Sequence, residues 1–259
     1  MPLKDEKLRP VAAIVQARMS STRLSAKVMR EILGRPVIWH VINRLRGTAL
    51  IDKIAVATSV DPADDVIERW CASNGVLCCR GSLDDVLDRY YTAALSMGAK
   101  TVVRITADCP LLDPVVVDRA IGLFADGGYD YVITGQTHPD GLDAEVFTVD
   151  ALARAHKEAR LSSQREHVTP FIRDNAGIFR TATLPFFADH GGMRWTVDDE
   201  KDLVLVTKIY EGLKDKKAFT AADVIDLLGK NPELLLINSA TVRNEGYAKS
   251  LREDKLLLP

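Results

Sequence analysis

The sequence predicts an α/β chain built on a doubly wound, mainly parallel sheet. Up to residue 134, short β-branched apolar runs alternate with segments of helical spacing, the signature of strand–helix–strand units. The strand candidates are apolar at consecutive rather than alternate positions, as in strands buried on both faces. The 259 residues are 47% hydrophobic and carry a net charge of −2, an ordinary globular composition with material for a sizeable core. Near-neutrality argues against a general nucleic-acid surface, which needs clustered Lys and Arg in excess.

The elements follow in order. Residues 11–15 (VAAIV) form a buried strand, and after a polar loop residues 36–46 have helical spacing, with Pro36 suited to the first helical position. Residues 54–58 are a second strand and 63–73 a helix that Gly75 ends. A third short strand covers 76–79, where Cys78 and Cys79 read as buried thiols. A helix with an acidic first turn covers 83–97. Residues 101–107 (TVVRITA) are a fourth strand, Pro114 opens a helix stopping at Gly127-Gly128, and 129–134 form a fifth strand.

After Gly135 the alternation breaks. From there to about residue 190 the chain reads as an insertion covering the site, with two helical stretches. Residues 194–197 read as a returning strand, 201–212 as a helix and the remainder as helical packing. The expected organisation is one domain over 1–230 with a helical extension over 231–259. The four cysteines show no metal-ligand spacing, and no run reaches membrane-spanning length, so a reduced, cytoplasmic setting without a membrane partner is expected.

The first βα loop carries Arg18, Arg23 and Lys27, with Ser20, Ser21 and Thr22 between them. Several donors and cations in a solvent-facing loop suit a polyphosphate. The loop is neither GxxxxGK[ST] nor GxGxxG. Its place at the carboxyl edge of the first strand is where doubly wound sheets bind ligands. In strand order 3-2-1-4 the fourth strand lies beside the first, so Asp108 faces this loop. A carboxylate beside phosphates calls for a divalent cation, and Mg²⁺ answers that need. Asp113, before Pro114, suits a helix start. Asp198 suits either a second metal ligand or, like Asp199, a helix cap.

Together these segments resemble the cytidylyltransferase family of CMP-ulosonate and CMP-sialate synthetases, and especially its SpsF-type branch of spore coat polysaccharide biosynthesis proteins. The carriers are Ala17-Arg18, Arg23-Leu24 and Lys27; Arg80-Gly81 with residues 85–90 (DVLDRY); 104–111 (RITADCPL); 141–145 (GLDAE); 165–170 (REHVTP); and 196–198 (TVD). The resemblance implies a Rossmann-like nucleotidyltransferase fold, CTP as donor, Mg²⁺ at Asp108 and Asp198, and a homodimer. It implies nucleotide contacts from Ala17, Arg18, Arg23, Lys27, Arg80, Asp85 and Ala107, with Arg18, Lys27 and Asp108 as the catalytic set. A small acidic acceptor would meet Arg104, Asp143, Glu145, Arg165 and His167. The family's glycine at position 20 and Pro-Gly at 25–26 are replaced by Ser20 and Ser25-Ala26 here, where a Cβ at positive φ costs about 1–2 kcal/mol. Rival readings are a glycosyltransferase with a nucleotide-sugar donor and a non-catalytic nucleotide-binding module.

Overall fold

The computed structural model describes residues 6–21, 23–239, 241, 243 and 245–257; Thr22 of the first loop lies outside them. In chain order the elements begin with β1 (Val11–Gln16), β2 (Glu31–Ile32), β3 (Arg35–Pro36), α1 (Val37–Leu45), β4 (Lys53–Ser59), α2 (Asp65–Ser73), β5 (Leu77–Gly81), α3 (Val86–Ser96) and β6 (Thr101–Thr106). They continue with α4 (Pro114–Gly127), β7 (Tyr131–Thr134), β8 (Glu145–Thr148), α5 (Val149–Glu158), α6 (Ser162–His167), α7 (Pro170–Arg173) and β9 (Thr181–Leu184). The chain ends in α8 (Glu200–Gly212), α9 (Ala221–Lys230) and α10 (Glu245–Arg252).

Among the described residues, seven strands form one sheet in the order β5-β4-β1-β6-β8-β7-β9. Its first four members are parallel in the expected 3-2-1-4 arrangement, and β8 alone runs against its neighbours β6 and β7. Side chains alternate across the sheet. Val11, Ala13 and Val15 join the core under α1, α2 and α4, while Ala12 and Ile14 join the core under α3 and α5. A third cluster gathers Leu24, Trp195 and Val197 with Val206, Ile209 and Val224 of α8 and α9. It fastens the first loop and the segment before α8 to the same end of the sheet.

Local signals set the boundaries. Asp113 caps α4 by accepting from the Val115 N–H, and Gly128 ends it at φ +58°. Asp199, not Asp198, caps α8 by accepting from the Asp202 N–H.

Several expectations need correction. Pro36 pairs with Glu31 in the β2–β3 ribbon and is extended, so it precedes α1 instead of opening it. Segment 135–190 lines the larger site cavity but does not stand apart from the sheet: β8 and β9 enter it, four-residue strands too short to show a period. Residues 194–197 form no strand. Their amides cross to loop carbonyls instead, Trp195 to Asp140 at 2.6 Å and Val197 to Asp108 at 2.8 Å. Cys78 and Cys79 lie on the edge strand β5 and are only half-buried. No helix of the described residues is long and apolar enough to cross a membrane.

Candidate active site

The site grows from the carboxyl ends of β1 and β6, whose residues Gln16 and Thr106 are register partners. The loop after β1 is held at three points. The Met19 N–H donates to the buried Asp64 carboxylate at 2.7 Å, Leu24 is buried in the third cluster, and Val28 is buried under α1. Between these anchors Ala26 adopts φ +54°, the left-handed region that a glycine would occupy without strain. The family's glycine at this position therefore has a backbone reason, whereas Ser20 is not among the residues at positive φ.

Lys27 follows Ala26, and its Nζ lies 2.6 Å from Asp108 Oδ2 and 2.6 Å from Asp198 Oδ1. The side chain is 16% exposed, so Lys27 is not the solvent-facing residue its loop suggested. Burial disfavours the ammonium, but the two carboxylates outweigh it and raise the Lys27 pKa above the ordinary lysine value. Asp108 is held below the usual carboxylate range: burial pushes its carboxyl up, and the Lys27 charge and hydrogen bond overcome that.

Asp198 also receives Arg194 at 2.6 Å and Arg23 at 3.0 Å. Arg194 is the hub behind it, donating to Asp140 at 2.6 Å and to the fully buried Asp202. Asp202 in turn accepts from the Asp198 N–H, so one buried carboxylate sets the Asp198 backbone while another residue, Asp199, caps the helix.

Two cavities meet at Asp108 and His167. A small one of about 140 Å³ is walled by Ala17, Arg18, Lys27, Arg89 and Ala107. A larger one of about 760 Å³ is rimmed by Arg23, Arg104, Asp143, Glu145, Asp198 and the arginines Arg173, Arg194 and Arg243. Between α6 and α7, Val168 has φ +72°, an outlier for a β-branched residue, and its neighbours His167 and Thr169 line the larger cavity.

A family model for cytidylyltransferases matches residues 12–227. The chain belongs to the cytidylyltransferase family. An uncharacterized protein of Methanocaldococcus jannaschii is 37% identical over 239 residues, 92% of this chain and 97% of its own. The spore coat polysaccharide biosynthesis protein SpsF of Bacillus subtilis is 30% identical over 233 residues, 87% of this chain and 97% of its own. Among solved structures, a cytidylyltransferase from Leptospira borgpetersenii, 28% identical, superposes with a TM-score of 0.83 over 90% of this chain and 98% of that one. This cytidylyltransferase is thus a nucleotidyl-transferring enzyme on a Rossmann-like sheet.

Within it, the fold brings together Ala17, Arg18, Arg23, Lys27, Arg104, Ala107, Asp108, Asp143, Glu145, His167 and Asp198, all lining one or both cavities. Arg104 pairs with Glu145 at 3.3 Å directly across β6 and β8, and Glu145 accepts from the Thr169 hydroxyl at 2.8 Å. Three expected contacts lie elsewhere. Arg80 stands next to last in the edge strand and is held by Asp65 and Glu68 at 2.8 Å each. Asp85 and Arg165 bind one another, joining the start of α3 to α6 outside both cavity walls.

Sequence reasoning gave no role to Arg89, which stands in the 85–90 motif, and missed Arg173, Arg194 and Arg243. Arg194 had a signal, standing four residues before Asp198; Arg243 lies beyond the span that the family model matches.

Proposed function

We propose that this cytidylyltransferase transfers the CMP group of CTP to a small acidic acceptor, a sugar acid or related anionic metabolite, with release of pyrophosphate in surface polysaccharide biosynthesis. The observation that carries the reading is the meeting of Asp108 and Asp198 at Lys27, between a small cation-lined pocket and a large arginine-rimmed cavity. The small pocket suits the donor, and the large one suits an acceptor bearing a carboxylate, which guanidinium groups bind in fork geometry.

Asp108 and Asp198 already share one cation, the Lys27 ammonium, and offer hard oxygen donors. Mg²⁺ is bound by one or two carboxylates together with substrate phosphates, so the pair fits it and is the pair that would hold it. When bound, Mg²⁺ supplies Lewis-acid polarisation of phosphoryl oxygens. The chain's own cations do the rest. Arg18, Arg23 and Lys27 gather the triphosphate and stabilise the negative charge that builds on the departing pyrophosphate. Arg104, Arg173, Arg194 and Arg243 orient the acidic acceptor so that its oxygen attacks the α-phosphorus in line as the bond to pyrophosphate breaks.

The reading includes a homodimer through segment 135–190. In its favour, β9 is a sheet edge and the nearby Phe187 is 63% exposed. A monomeric mass by light scattering at micromolar concentration overturns that part.

Pyrophosphate release measured for CTP, UTP, ATP and GTP, with a panel of sugar acids and with or without Mg²⁺, tests the whole. Release confined to CTP, metal and an acidic acceptor is expected. Equal release from ATP, or none with any acid, rejects it.

A further inference from the structure

Arg89 sits in the wall of the small pocket and is 3% exposed. Among the described residues its Nε and Nη1 are buried without a hydrogen-bond partner. Burial, with Arg18 close by, pushes its guanidinium pKa down from the ordinary value. A buried guanidinium without partners costs the fold free energy, and a native protein that keeps one calls for an explanation.

The surroundings aim the side chain. A Cβ added at Gly81 would come 2.6 Å from Arg89 Cγ, and Gly81 has no positive φ, so the glycine is there for room. The next residue, Tyr90, is fully buried and donates to the carbonyls of Ile14 and Ile105, which locks the register of α3 on the sheet. The stem of Arg89 thus fills the space left by Gly81. The pocket walls nearby are small and apolar: Ala17, Val28, Val86 and Ala107. The phosphate-seeking cations Arg18 and Lys27 line the same pocket.

We propose that Arg89 reads the donor's base, its fork donating to the adjacent O2 and N3 acceptors of cytosine. The inference rests on CTP being the donor. Only cytosine presents two adjacent acceptors on its Watson–Crick edge; uracil carries N3–H there, which would oppose a guanidinium N–H. A desolvated guanidinium distinguishes the two strongly, because the wrong base leaves its donors unpaired.

The test is calorimetric binding of CTP, UTP, CMP and inorganic tripolyphosphate to the wild type, Arg89→Met and Gly81→Ala. Arg89→Met is expected to lower CTP and CMP affinity about 10- to 100-fold and to erase the preference over UTP, with tripolyphosphate binding unchanged. Its apo Tm should not fall, because an unpaired buried charge has been removed. Gly81→Ala, which displaces the stem, should reproduce the loss of preference with Arg89 still present. A retained CTP preference in Arg89→Met, an equal loss for tripolyphosphate, or a lowered apo Tm overturns the assignment. If the wild type itself shows no preference for CTP, the donor reading falls and Arg89's role falls with it. A selective wild type with a selective variant rejects Arg89 alone.

Discussion

The backbone N–H of Val197 donates to the carbonyl of Asp108 at 2.8 Å. The Thr196 hydroxyl donates to the same carbonyl at 3.2 Å. The main chain of Asp108 is thereby joined to the two residues just before Asp198, and the approach of the two carboxylates at Lys27 does not depend on their flexible side chains alone.

Asp108→Asn and Asp198→Asn should each reduce turnover by at least about 100-fold while nucleotide affinity without metal changes little. The double variant should lose far less than the two losses combined, since residues serving one charge act as a unit. Because Asp199 is the cap of α8, asparagine at 198 gains nothing as a cap replacement. Steady-state kinetics of the three variants check this, and a fully active Asp198→Asn enzyme would falsify the shared site.

Lys27→Ala and Arg18→Ala should separate stability from binding. Arg18 is exposed and makes no hydrogen bond or ion pair among the described residues, so its loss should leave the apo stability within about 0.5 kcal/mol of wild type and weaken triphosphate binding. Lys27 separates two carboxylates, and removing it should cost about 1–3 kcal/mol in addition to binding. Denaturant titration beside calorimetry distinguishes the two; equal stability of both variants contradicts it.

Ala26→Gly should raise or leave unchanged the stability of the apo protein. It relieves about 1 kcal/mol of left-handed strain against a similar entropic cost of glycine. Ser20→Gly has no positive φ to relieve and should only destabilise, by up to about 1 kcal/mol. Thermal melts of the pair decide it.

The His167 imidazole is pushed down to about 4, by burial first and by Arg104, Arg173 and Arg18 around it, against the pull of Glu166. Its folded pKa lies below the ordinary 6.5, so the folded state favours the neutral ring. The stability this contributes is complete above pH 6.5 and is lost as pH falls from 6.5 to 4. His167→Asn should flatten the pH dependence of unfolding across that window by one proton. NMR titration should keep the wild-type ring neutral at pH 5; a ring that titrates near 6.5 rejects the prediction.

Much of this was legible beforehand, for physical reasons particular to each segment. The strands through β6 are β-branched runs separated by helices with clear stops at Gly75 and Gly128, and their order placed Asp108 beside the first loop. The choice between Asp198 and Asp199 was not legible, because either could cap α8 and only the Asp202 contacts separate them. Residues 194–197 have a strand's apolar content, but their amides bond to loops. Arg80, Asp85 and Arg165 stand in motifs, yet local ion pairs claim them. An arginine that lines a cavity looks in sequence like one on the surface, which hid Arg173 and left Arg89, within the 85–90 motif, without a role.

The reversed direction of β8 has a consequence for how such an enzyme changes substrate. Because β7 runs with β6 and β8 runs against it, the connection from residue 135 to 144 leaves and re-enters the sheet at the edge where the carboxylates stand. Asp140 and Asp143 belong to that connection, and Arg243 holds Asp143 from a tail on the outside. Loops exchange sequence and length more readily than the elements that carry them. The larger cavity is lined by sheet residues, Arg104, Glu145 and Thr183 among them, as well as by this connection, so on the proposed function the connection is the part of the acceptor side that can change without a change in the sheet.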